Sequence, residues 1–282
     1  MRRVKKNDEK IIGYQGVIGS FSEEALVKYF GDSINKKNYM EFEDVFKALN
    51  EFKIDYGILP IENTSTGSIT KVYDLLKEYG FFIVGETQIK IEHNLLGFKN
   101  TKIDELREIY SHSQGFEQSS KFLNSLQKNI KLIPYHNTAI SVEYVSKSHD
   151  REKAAIGSKR AGEIYGLEVL KDLINNNKEN YTRFIIIGRY LEKDKTFNKI
   201  SISFGLEDNP GDLYRVLKAF HDNNINMIKI ESRPIGNGAF NYYFYIDIEG
   251  NIDSINVKEA LSLIDSSTKE FKLLGGYRKN IE

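Results

Sequence analysis

Four polar clusters interrupt the first two-thirds of the chain, each made of groups that can do chemistry. They are Pro60-Ile61-Glu62-Asn63-Thr64-Ser65-Thr66-Gly67-Ser68, then Ser111-His112-Ser113-Gln114-Gly115 with Gln118 one helical turn on, then Asn137-Thr138-Ala139, and finally Asn180-Tyr181-Thr182-Arg183-Phe184. Hydroxyls and carboxamides of this kind donate hydrogen bonds to an oxygen acceptor. Glu62 adds a carboxyl, and Arg183 a guanidinium suited to a carboxylate. Each cluster falls where a strand ends, and such ends, with the N-termini of the following helices, form the ligand crevice of open α/β sheets. Taken singly, each also has a plainer reading. Thr64, Ser65 or Thr66 is an N-cap, the second cluster is a capped strand–helix turn, Asn137 is a cap, and Thr182-Arg183 opens a routine strand.

The elements that must position these groups read as alternating strands and helices. KIIGYQG is a strand, and Ser20 with Glu23 makes a capping box for a helix ending near Gly31. NYMEF is a short strand, and Val45, Phe46 and Leu49 mark the next helix. DYGILPI is a buried strand, Gly67 to Tyr79 carries helical spacing, and FFIVGETQIKI is a long extended run. EIYSH, KLIPY and AAIGS are further strands, each followed by a helical pattern, and TRFIIIGRY closes the region. This alternation predicts an α/β domain over residues 11–190 with mostly parallel sheets. The polar stretch LEKDKTFNK is a linker. Residues 199–275 then read βαββαβ, a ferredoxin-like sandwich with a Gly-Asn-Gly turn at Gly236–Gly238.

Composition removes several function classes. Lys+Arg and Asp+Glu are both 40, a balance that argues against nucleic-acid or membrane-surface partners. There is no cysteine, which excludes disulfides, thiolate metal sites and cysteine nucleophiles. His93, His112, His136, His149 and His221 are scattered without metal-ligand spacing, and the glycines at 13–19 do not follow the dinucleotide fingerprint. No metal and no cofactor are expected. No apolar run reaches the length of a membrane span and no signal core follows the basic start, so the expected location is the cytoplasm.

In order and spacing the chain resembles prephenate dehydratase. The resemblance rests on Gly-Tyr-Gln-Gly-Val-Ile-Gly-Ser-Phe-Ser at 13–22, Pro-Ile-Glu-Asn-Thr at 60–64 and Tyr-Ser-His at 110–112. Ala-Ala-Ile-Gly-Ser at 154–158, Tyr-Gly-Leu at 165–167 and Thr-Arg-Phe at 182–184 complete it. It implies a two-lobed, periplasmic-binding-protein-like catalytic domain. Residues 11–85 and 168–190 would form one lobe, 90–165 the other, and Gly85–Ile91 a crossover. It also implies loss of water and CO2 from prephenate to give phenylpyruvate, without a cofactor. Thr182 is then the catalytic hydroxyl, with Asn63, Ser111 and Gln118 in the site. Glu62 is a rival acid if burial keeps it protonated. Arg183, Thr64, Ser20 and Phe184 are the substrate-binding candidates. Departures from the family pattern are the missing proline in the 13–19 loop, Thr64 in place of Ser, and Ser113 in place of Pro.

Residues 199–275 resemble an ACT domain. The resemblance implies phenylalanine binding between paired domains through Asn209, Pro210, Gly211, Leu213, Glu231, Ser232, Arg233 and Pro234, and hence a homodimer or homotetramer. Asp212 stands where a small residue is usual. About ten polar residues precede the first strand, too few for a chorismate mutase bundle, so the chain reads as monofunctional. The competing readings are an arogenate dehydratase, a non-catalytic amino-acid sensor, and a periplasmic solute-binding protein.

Overall fold

The structure is a computed structural model that describes residues 10–126, 129–207, 209–234 and 242–280. Three sheets organise it. The first runs β2-β1-β3-β11-β5, with the short β4 beside β3. Its strands are β1 (Ile11–Gln15), β2 (Asn35–Tyr39), β3 (Tyr56–Asn63), β4 (Gly67–Ser68), β5 (Phe82–Lys90) and β11 (Tyr181–Gly188). β1 is parallel to both β2 and β3. The helices α1 (Phe21–Phe30), α2 (Phe42–Asn50) and α3 (Thr70–Tyr79) connect them. Val45, Phe46 and Leu49 are buried on α2, as their spacing predicts.

The second sheet runs β10-β6-β9-β7-β8. Its strands are β6 (Asn94–Gly97), β7 (Glu108–Ser111), β8 (Lys131–Pro134), β9 (Lys153–Gly157) and β10 (Glu168–Lys171). Its helices are α4 (Ser113–Gln118), α5 (Ser120–Asn124), α6 (Thr138–Ser148) and α7 (Lys159–Tyr165). β7 is parallel to β8 and β9, but β6 is antiparallel to β9 and β10. Separate apolar clusters lie on its two sides, one around Leu95, Ile109 and Ile156, the other around Leu96, Val142 and Ala155.

Three sequence expectations shift. The strand expected at NYMEF lies at Asn35–Tyr39, a polar run that reads poorly because it is an exposed edge strand with lysines. The helix expected from Gly67 begins at Thr70, because Gly67 and Ser68 fold back antiparallel on Asn63 and Glu62. The short strands β6 and β10 escaped notice, and their antiparallel pairing makes the second sheet mixed.

The third sheet is antiparallel, in the order β13-β14-β12-β15. Its elements follow the chain as β12 (Lys199–Leu206), α8 (Asp212–Asp222), β13 (Met227–Pro234), β14 (Tyr242–Glu249), α9 (Ile255–Ser267) and β15 (Lys269–Tyr277). This is the βαββαβ order expected. Ile200, Ile202, Phe204, Ile246 and Ile248 face both helices in one core. The expected turn at Gly236–Gly238 lies outside the described residues.

Packing divides the chain into two compact units. One holds the described residues to Val72 together with Thr87–Phe184. The other holds Tyr73–Glu86 and the described residues from Ile185 onward. The boundary therefore falls within α3, β5 and β11. Within the second unit, Lys199, on the sheet face away from α8 and α9, meets both Glu86 and Asp247. Arg233 pairs with Asp74, and the Tyr245 hydroxyl donates to the Tyr73 carbonyl.

Candidate active site

A cavity of about 420 Å³ opens in the first unit, where β1, β3 and β11 of one lobe end opposite α4 and α6 of the other. Asn63 and Thr182 come from adjacent strands and meet in its wall. The Asn63 amide orientation is fixed by its partners. Its Oδ1 accepts from the backbone N–H groups of Ser65 (2.9 Å) and Thr66 (3.1 Å), and these can only donate. Its Nδ2 donates to the Tyr181 carbonyl (3.1 Å), to Asn180 Oδ1 (2.8 Å) and to Thr182 Oγ1 (2.9 Å). Thr182 is thus an acceptor from Asn63, and its own hydroxyl proton meets no protein acceptor among the described residues. It is 7% exposed and lines the cavity.

Strand alternation sorts the remaining candidates. Asn63 and Thr182 face the cavity, so Glu62 and Arg183, their immediate neighbours, face the other side. There they form an ion pair at 3.3 Å, with the Glu62 side chain 36% exposed. Neither lines the cavity, and Glu62 lacks the burial that the rival-acid reading requires. Phe184, two residues beyond Thr182, returns to the cavity face. Thr64 does not line the cavity. Its hydroxyl donates to the Glu179 carbonyl (3.2 Å) and accepts from the Tyr181 N–H (2.9 Å), tying the β3–β4 turn to β11. Ser111 is fully buried, with its hydroxyl 3.5 Å from the Ile156 carbonyl. A Cβ on Gly115 would lie 2.4 Å from that hydroxyl, so the glycine lets α4 settle onto Ser111. Ser111 shapes the wall from beneath instead of lining it.

Three helix N-termini end on the cavity. Ser20, Phe21 and Ser22 open α1. His112, Gln114 and Gly115 open α4. Asn137 and Thr138 open α6. Ser20 and Asn137 each cap their helix, accepting from Glu23 N (3.3 Å) and Ile140 N (2.7 Å). The plainer reading of Asn137 as a cap therefore holds, and the residue lines the cavity as well. The capping box at Ser20 is displaced by one residue, since Glu23 Oε2 accepts from Gly19 N at 2.7 Å. That bond, Tyr165 Oη donating to Ile18 O (3.0 Å) and Ser158 Oγ donating to Gly19 O (3.2 Å) brace the proline-free loop against the second lobe. Gly19 has φ +85°, and its ideal Cβ would sit 3.1 Å from the Ala161 backbone, so a side chain is disfavoured twice there. Across the mouth, Gln114 Nε2 donates to Thr66 Oγ1 at 3.0 Å.

Sequence reasoning missed His93. It sits in the crossover after β5, 3% exposed, and lines the cavity with its Nε2 2.9 Å from Gln118 Oε1. Burial pushes its pKa below the ordinary imidazole value, with the Gln118 bond opposing. No motif pointed to it. A lone histidine in an extended run carries no spacing signal. Among the described residues no Lys, Arg, Asp or Glu lines the cavity, and no cluster of three His, Asp or Glu is placed to hold a metal.

The predicted effector residues also divide by strand face. A register irregularity between Met227 and Lys229 sets Ser232 and Pro234 on the side of the sheet facing α8, and Glu231 and Arg233 on the opposite side. Arg233 is bidentate to Asp74, at 2.9 and 3.3 Å. Asn209, Pro210 and Gly211 form the turn before α8, and Leu213 packs toward the core. Asp212 opens α8, and its carboxylate is turned onto Arg215.

Comparison with known proteins identifies the family. The prephenate dehydratase family pattern matches residues 12–191 and the ACT domain pattern residues 200–262. The bifunctional chorismate mutase/prephenate dehydratase of Enterobacter agglomerans is 35% identical over 271 residues, covering 94% of this chain and 70% of that protein. A chloroplastic arogenate dehydratase of Arabidopsis thaliana is 34% identical over 285 residues, covering 94% and 67%. The solved structure of GqqA, described as a novel type of quorum quenching acylase, superposes with a TM-score of 0.86 at 26% identity, covering 96% of this chain and 98% of that one. With residues 12–191 matched by that family's pattern and an ACT domain pattern following, the chain belongs to the prephenate dehydratase family.

Proposed function

We propose that the chain converts prephenate to phenylpyruvate, CO2 and water. The observation that carries this reading is Thr182, whose hydroxyl is held by the Asn63 amide while its proton is left for a cavity that no Lys, Arg, Asp or Glu lines among the described residues. In the reaction the bond from the ring to its carboxylate breaks. Its electrons complete the aromatic ring, and the hydroxyl at the opposite ring carbon departs. Thr182 donates a hydrogen bond to that oxygen as charge develops, and a proton from solvent completes the water. A lysine or arginine beside the ring carboxylate would stabilise its charge and oppose loss of CO2, so a wall with neither among its described residues favours the reaction. The pyruvyl carboxylate is suited to the N-termini of α1 and α6, whose N–H groups and dipoles favour anions. Prephenate fits better than arogenate, because no carboxylate among the described lining residues awaits an ammonium group. Acyl transfer would need a base accepting the nucleophile's proton, whereas Thr182 is paired with a donor.

The reading extends to regulation. Residues 11–190 carry catalysis, and 199–275 bind phenylalanine as a feedback inhibitor through the Asn209–Leu213 turn, Ser232 and Pro234. Ile228 and Ile230 are exposed apolar residues on β13, an edge of its sheet, and support pairing with a second copy in a homodimer or homotetramer. No helix among the described residues is long and apolar enough to cross a membrane, and the cytoplasm is the proposed location. Ultraviolet detection of phenylpyruvate from purified protein, with prephenate or arogenate and with or without phenylalanine, is the test. Turnover of prephenate that phenylalanine suppresses is expected. Absence of phenylpyruvate would leave a sensor, and preference for the amino substrate an arogenate dehydratase.

A further inference from the structure

His93 is locked in place. Its ring meets Phe21 edge-on at 5.9 Å, and its backbone N–H donates to Asn175 Oδ1 at 2.6 Å. Nε2 faces Gln118 Oε1 at 2.9 Å, while Nδ1 is buried and has no partner among the described residues. Of the three protonation forms, two are penalised. Imidazolium would bury both a charge and an orphan N–H. The Nδ1–H tautomer would bury an unpaired donor, a rare and costly arrangement. The Nε2–H tautomer donates to the Gln118 carbonyl and leaves at Nδ1 only a bare lone pair. The carbonyl end of Gln118 is then committed to His93, and its NH2 end is turned away. That NH2 has no protein acceptor among the described residues, although Gln118 lines a cavity suited to an oxygen-rich anion.

We propose that His93 is a positioning residue, which as a neutral Nε2–H donor holds the Gln118 amide so that its NH2 meets the substrate's carboxylate or departing hydroxyl oxygen. This rests on the prephenate dehydratase reading. Orientation is where the benefit lies, since misplacing a contacting group by about 1 Å can cost about 10²-fold in rate. His93 neither touches the reacting atoms nor exchanges a proton.

The test is a mutant cycle on the full chain. His93→Leu and Gln118→Ala should each lower kcat/KM, by about 10-fold to 10²-fold. The double variant should be no worse than Gln118→Ala alone, because the first effect acts only through the second residue. His93→Gln, which keeps an amide donor, should recover most of the loss with an unchanged pH profile. Losses that multiply in the double variant would overturn the proposal, as would an unaffected Gln118→Ala. So would a pH limb that vanishes in His93→Gln, since that marks an acid or base. Nitrogen NMR of the wild-type imidazole gives a readout free of folding defects and of turnover. It should show a neutral Nε2–H ring at pH 7, and imidazolium or Nδ1–H would overturn the assignment. If wild type does not consume prephenate while the ring is Nε2–H, the functional reading has failed and the tautomer assignment stands.

Discussion

Among the described residues no Lys, Arg, Asp or Glu lines the cavity of the first unit, and several polar groups there keep a donor unspent, such as the Thr182 hydroxyl and the Gln118 NH2. On the face of the C-terminal sheet away from its helices, charges are buried and paired. Lys199 sits 2.7 Å from Glu86 and 3.5 Å from Asp247, with its side chain 5% exposed. Ser201 links Asp247 to Tyr277. Unspent neutral donors cost little in the absence of ligand and reward an anion that enters. Buried paired charges offer a ligand little and hold one packing in place. A site and a structural polar network thus differ in what each leaves unsatisfied.

The sharpest way to break this contrast is to remove the ammonium. Lys199→Met should lower the free energy of unfolding by about 3–5 kcal/mol, because Glu86 and Asp247 lose their buried counter-ion. Denaturant titration measures it. A loss below about 1 kcal/mol would mean that water or a rearrangement replaces the ammonium. In the cavity the reverse pattern is expected. Thr182→Ala should lower kcat by about 10²-fold or more with little change in melting temperature. Near-normal kcat would remove the hydroxyl from the chemistry.

The strand pattern made much of this legible. Period-two alternation in Pro-Ile-Glu-Asn and Thr-Arg-Phe already implies that Asn63 parts from Glu62 and Thr182 from Arg183. Glu62 as rival acid and Arg183 as carboxylate anchor are candidates by residue type, but the face decides. The βαββαβ order and the helix starts at Ser20 and Asn137 were readable from periodicity and capping residues. The bond between Asn63 and Thr182 was not, since 119 residues separate them and no local rule pairs them. Ser111 looked like a lining hydroxyl, but Gly115 lets α4 cover it. His93 was invisible because its role depends on burial in a crossover. Strand β2 was misplaced because edge strands are polar by need.

His93 offers a smaller, pH-dependent test of burial in the cavity wall. Its folded-state pKa is held by burial below the ordinary 6.5. The unfolded chain therefore takes up a proton near pH 6.5 that the folded chain refuses. Its contribution is complete above that pH and declines as pH falls toward the folded-state value. The slope is at most about 1.4 kcal/mol per pH unit. His93→Gln should flatten this part of the stability profile, measured by denaturant unfolding between pH 7 and pH 5. An unchanged slope would place the buried-histidine effect elsewhere.

Arg183 provides the smallest expected effect and the finest discrimination. Its guanidinium looks like the natural anchor for a substrate carboxylate, and its place beside Thr182 strengthens that impression. The side chain is instead turned to the far face of β11, 3.3 Å from Glu62, whose side chain is 36% exposed. With its Glu62 end open to water and its Arg183 end 16% exposed, the pair contributes on the order of 1 kcal/mol. Arg183→Ala should therefore raise KM for prephenate less than about threefold and leave kcat almost unchanged. Glu62→Gln should behave alike. Uniform binding by a carboxylate anchor would show a different signature, a large rise in KM at constant kcat. A tenfold rise in Arg183→Ala but not in Glu62→Gln would mean that the strand end rearranges on binding and brings the guanidinium to the substrate. Equal, small effects in both variants keep the guanidinium out of the cavity, which is the condition that favours release of CO2.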